Sequence, residues 1–87
     1  MTNERKKEIL GMMLEVIKSA SFWCHALCYA SGELCVTGRI DTAEESAIND
    51  FIFENRPSEE IQRGEYFWPP YDFASRITFI QQLIEQL

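Results

Sequence analysis

Arginine and aromatic side chains cluster late in this chain, in the only stretch with the composition of a binding surface. Tyr66-Phe67-Trp68-Pro69-Pro70-Tyr71 holds four aromatics and two prolines in six residues, and Arg76 follows five residues later. Prolines remove backbone donors and stiffen the path. Aromatic rings combine large apolar faces with polar edges. Tyr66, Trp68 and Tyr71, with Arg56 and Arg76, are therefore candidates for a site that takes an anionic aromatic ligand such as a nucleotide. Rings stack on bases, each stacked base contributing roughly 1–3 kcal/mol. Guanidinium groups meet phosphate with a planar fork of donors. Arg56 stands just before Pro57, and Arg76 falls in the first turn of a C-terminal helix, where free backbone N–H groups also suit an anion. The competing structural reading is that Phe67 and Trp68 cover one end of a helix bundle while Arg76 pairs with Asp72 or Glu65.

A second constellation is acidic. The formal charge is −6, and the span from Asp41 to Glu65 carries eight acids and two bases, hence all of that excess; the remaining residues hold six of each sign. Such a chain lacks the basic face that releases counterions from duplex nucleic acid, so no duplex binding is expected. An acidic face suits a basic partner instead, including one that normally holds nucleic acid. Glu44, Glu45, Asp50 and Glu54 surround Phe53, which lies off the apolar stripe of its helix. This set is the candidate protein-binding patch. A solubilising helix face, or the buried seam of a homo-oligomer, would use the same residues, and Phe53 could equally pack under the aromatic loop.

Other chemistry is poorly provided for. The one histidine, His25, adjoins Cys24, but neighbours on a helix diverge by about 100°, so no Cys–His catalytic pair is expected. Cys24 and Cys28 share a helix face, yet a structural zinc site wants four convergent ligands. All three cysteines, with Cys35, are expected to be reduced thiols without a metal. The paired acids Glu44/Glu45 and Glu59/Glu60 sit in capping or exposed contexts. There is no Gly-rich phosphate loop and no nucleophile elbow. The reading is a protein without catalytic activity or cofactor.

The elements that must position these residues are helical. Eighty-seven residues, 46% of them hydrophobic, make one small domain with a core. No apolar run approaches the ~18 residues of a membrane span, and Met1–Glu8 lacks the apolar stretch of a signal peptide. An intracellular, cytoplasmic protein is expected. Asn3 is expected to cap a first helix with Ile9, Leu10, Met13, Leu14 and Ile17 on one face, breaking at Ser19-Ala20-Ser21. A second helix from near Ser21, with Phe22, Trp23, Leu27, Cys28 and Tyr29, is apolar almost all round and is expected at the centre. It stops at Gly32 or continues to Gly38, unless Leu34–Thr37 is a short strand. Asp41 with Glu44, or Thr42 with Glu45, opens a third helix as a capping box. Its stripe is Ala43, Ala47, Ile48, Phe51 and Ile52, and it ends near Asn55, before Pro57. Ser58–Ile61 is expected to form a further turn, and Asp72 to cap a last helix whose face is Phe73, Ile77, Ile80, Ile84 and Leu87, widened by Phe79 and Leu83. The fold is thus all-α, about four helices with a Pro/aromatic loop before the last. Trp23 and Phe51 are expected in the core.

In this order and spacing, Leu27-Cys28-Tyr29-Ala30, Gly38-Arg39-Ile40 leading into Glu44-Glu45, Asn55-Arg56-Pro57, Tyr66-Phe67-Trp68-Pro69 and Arg76-Ile77-x-Phe79-Ile80-x-x-Leu83-Ile84 are familiar. The chain resembles, over about residues 24 to 84, a loose family of short uncharacterised bacteriophage proteins. The resemblance implies an accessory protein acting inside the infected host cell on its defence or physiology. Such proteins sequester a ligand or block a host protein, and the resemblance implies no catalytic residue. A nucleotide-type signal is the first expectation for the ligand, and a host defence or nucleic-acid-processing protein is the alternative partner.

Overall fold

The computed structural model describes the backbone of residues 1–19, 26–55 and 73–87, and the side chains of these residues except 26–29 and 73–76. Four α-helices make up the described residues, with no strand among them: α1 (Asn3–Ser19), α2 (Ala26–Val36), α3 (Thr42–Glu54) and α4 (Phe73–Gln86). The all-α expectation holds. The expected start of α2 near Ser21, the core place of Trp23, the turn at Ser58–Ile61, the aromatic loop and the Asp72 cap lie outside the described residues.

Helix α1 begins one residue earlier than expected, and the cap is Thr2 rather than Asn3. The Thr2 hydroxyl accepts the Arg5 N–H at 3.1 Å, and the Thr2 carbonyl accepts the Lys6 N–H at 3.0 Å. The hydroxyl thus satisfies one of the first-turn donors that every helix leaves open, and the carbonyl accepts the first bond of the helical ladder. Its inward face is the expected one. Ile9, Leu10, Met13 and Ile17 are fully buried, whereas Leu14 is only half-buried. The spacing of one, three and four residues keeps the four on one side of the helix. Helix α1 packs against α2, α3 and α4, while α2 packs on α1 and α3. Among the described residues α1 is the helix that meets the other three; the side chains of Phe22, Trp23, Leu27, Cys28 and Tyr29, on which the expectation for α2 rested, lie outside them. A helix with one continuous buried row can serve several neighbours at once.

The strand alternative for Leu34–Thr37 is excluded, because α2 continues to Val36. Gly32 lies inside the helix, not at its end. The stop is at Gly38, whose φ is +79°. Gly38 N–H donates to the Cys35 carbonyl at 3.1 Å, and Arg39 N–H donates to the Leu34 carbonyl at 2.9 Å. These two bonds form a Schellman turn. Ile40, 4% exposed, tucks back into the same core as Leu34.

Helix α3 starts on the Asp41–Glu44 capping box, the first of the two registers expected. The Asp41 carboxylate accepts the Glu44 N–H at 2.7 Å, and the Glu44 carboxylate accepts the Asp41 N–H at 3.1 Å. Ile48 and Ile52 are buried, but Ala43 is exposed and Phe51 only half-buried. Phe51 is a boundary residue, with the Lys6 ammonium 4.6 Å from its ring centroid. The ring face attracts the cation. Asn55 ends the helix, its side-chain amide donating to the Phe51 carbonyl at 2.8 Å. Between α2 and α3 the fully buried Ser31 donates to Asn49 Oδ1 at 2.9 Å, which satisfies a hydroxyl that would otherwise be costly to bury.

Helix α4 turns the expected face inward, with its weight shifted toward the residues expected to widen it. Phe79, Ile80 and Leu83 are buried, with Ile77, Ile84 and Leu87 half-buried at the margins. Ile80 stays at the centre of the stripe, while Phe79 and Leu83, expected merely to widen it, are buried more deeply than Ile77 and Ile84. Both rows are apolar, so only the neighbouring helices select between them.

Candidate functional site

The expected aromatic and arginine residues fall largely outside what is described. Arg56, Tyr66, Trp68 and Tyr71 lie in the stretch between α3 and α4. Arg76 has a described backbone and stands in the first turn of α4, four positions into the helix that begins at Phe73. Of the cysteine set, Cys24 and His25 lie outside the described residues, as does the side chain of Cys28. Among the described residues, no group of three His, Cys, Asp or Glu side chains converges as metal ligands would, and no helix is long and apolar enough to cross a membrane.

The acidic set divides into two kinds of position. At 100° per residue, Ser46, Asp50, Phe53 and Glu54 share one arc of α3, and all four are exposed. Phe53 is 38% exposed. Glu44 and Glu45 lie on opposite flanks of the buried Ile48–Ile52 line and are half-buried. The expected patch of five is therefore an outward group of three, Asp50, Phe53 and Glu54, with two acids turned toward the helix seams.

Glu44 is already engaged within the fold. Besides its capping bond, its carboxylate accepts Arg5 Nε at 2.6 Å and Arg5 Nη2 at 3.2 Å. Arg5 also donates from Nη2 to the Arg39 carbonyl at 3.3 Å and from Nη1 to Glu8 at 3.3 Å. One guanidinium thus ties α1 to the first turn of α3 and to the turn before it. Arg39 in turn lies 3.9 Å from Glu15 on α1. The two-point contact with Arg5 is the geometry in which an arginine–carboxylate pair is strongest. It holds the Glu44 carboxyl below its ordinary value of 4.5, with the Asp41 N–H as the next cause, and it raises Arg5 correspondingly.

A pH dependence follows from that direction. A carboxyl depressed in the folded state stabilises the fold fully above its ordinary value and loses that contribution as pH falls through the folded value. Glu44→Gln should therefore lower stability at neutral pH, with the difference from wild type closing in acid. Urea melts at a series of pH values check this. A gap that stays constant from neutral pH down to well below the ordinary carboxylate range would mean that the Glu44 charge contributes nothing.

Glu45 lies along α2. Its carboxylate is 3.6 Å from the place a β-carbon on Gly32 would take, an ordinary van der Waals contact. Burial, and then the charges of Glu45 and Asp41, push the half-buried Cys35 thiol up from its ordinary value. A raised thiol is a poor nucleophile at neutral pH. Next to the Arg5–Glu44 tie, a groove of about 530 Å³ opens between the first turns of α1 and α3, with Met1, Ala43 and Ala47 among its walls.

Sequence reasoning missed the Arg5–Glu44 tie, whose partners are 39 positions apart. The capping box had already assigned Glu44 a local role, and no periodicity connects Arg5 to it. No protein-family model matches this chain, and neither a curated protein nor a solved structure does.

Proposed function

We propose that this is a non-catalytic binding protein whose outer α3 face engages a basic surface on another protein, in the manner of the bacteriophage accessory proteins the sequence resembles. The observation that carries the reading is Phe53, 38% exposed on the same arc as Asp50 and Glu54. A half-exposed aromatic ring is a natural anchor for an interface. Carboxylates beside it steer a basic partner in and discriminate against acidic ones. Glu44 is the least available of the five residues for this work, because Arg5 and the cap occupy it.

The test uses the chain as bait in host-cell lysate, with native mass spectrometry of what is retained. The bait is compared with Phe53→Ala and with the double variant Asp50→Lys, Glu54→Lys. Asp50 and Glu54 are exposed, so the double variant should keep the helical signal and melting temperature; Phe53→Ala, whose ring is 38% exposed, is compared below the midpoint of its own thermal melt. The double variant should slow association with the retained protein by roughly tenfold or more at low salt, and the wild-type rate should itself fall steeply as salt rises. A partner held equally well by all variants would remove the α3 face from the reading.

A second reading has its own support. Arg76 in the first turn of α4 stands where backbone donors favour an anion, and with Arg56, Tyr66, Trp68 and Tyr71 it would hold a small nucleotide-type signal. Calorimetry against a panel of linear and cyclic nucleotides should then show binding that Arg76→Lys weakens, since an ammonium lacks the planar fork. Absence of binding at micromolar concentration leaves the protein-surface reading alone.

A further inference from the structure

We draw no further inference here: the strongest candidate, the groove of about 530 Å³ between the first turns of α1 and α3, carries nothing, because its guanidinium, Arg5, is already held by Glu44, Glu8 and the Arg39 carbonyl and nothing in the structure shows what would occupy it.

Discussion

Leu10→Ala is expected to destabilise the fold by about 2–5 kcal/mol, the usual range for a large buried aliphatic truncated to alanine. Leu10 is 0% exposed and sits on α1, the helix that packs against all three others. Its loss removes apolar burial and leaves a cavity that rigid neighbours cannot fully close. Small domains are stable by only about 5–15 kcal/mol in total, so this one change should consume a large part of the margin. Val36→Ala is the matched control. Val36 is 84% exposed, and its truncation should stay within about 0.5 kcal/mol of wild type. Urea denaturation of both variants gives the comparison, with an unchanged slope required for Leu10→Ala to be read as lost stability. Equal midpoints for the two variants would mean that α1 does not occupy the centre of the core.

Gly38→Ala should cost about 1–2 kcal/mol, because a β-carbon in the left-handed region crowds the backbone. Gly38 has φ +79° and no heavy atom within 4 Å of the place its β-carbon would take. Any loss at this site is therefore backbone strain and not a clash with the core. Gly11→Ala provides the opposite sign. Gly11 lies inside α1 and likewise has open space around a β-carbon. Alanine there should stabilise by about 0.5–1 kcal/mol through better helix propensity. Thermal melts of the two variants should move in opposite directions. If both moved upward, the Schellman turn at Gly38 would not be what ends α2.

The acidic outer face was legible in the sequence to the extent that periodicity could show it. Phe53 lies off the Ile48–Ile52 line by counting alone, and Asp50 and Glu54 share its side. Counting could not show that Glu44 belongs to a different task. That depends on where α1 crosses α3, which no local pattern encodes. The same holds for Phe51, which reads as core on the helix wheel but lies at the boundary under Lys6.

Determined by sequence were the features whose partners lie within a few residues of one another. A capping box at the start of α3, in one of two adjacent registers, and the stop before Pro57 are of this kind. So is the inward row of α1, because a helical repeat places Ile9, Leu10, Met13 and Ile17 together whatever they meet. Where two local solutions were nearly equal, tertiary packing chose. Thr2 and Asn3 can each cap a helix, and Gly32 and Gly38 can each end one; Glu45 lying against Gly32 and Ile40 buried beside Leu34 accompany the longer α2. On α4 both candidate rows are apolar, and the row through Phe79, Ile80 and Leu83 is the one that faces the core. The meeting of α1 with the other three helices and the Arg5–Glu44 tie were decided by tertiary structure alone, since burial and charge pairing across 39 residues exist only once the helices have met.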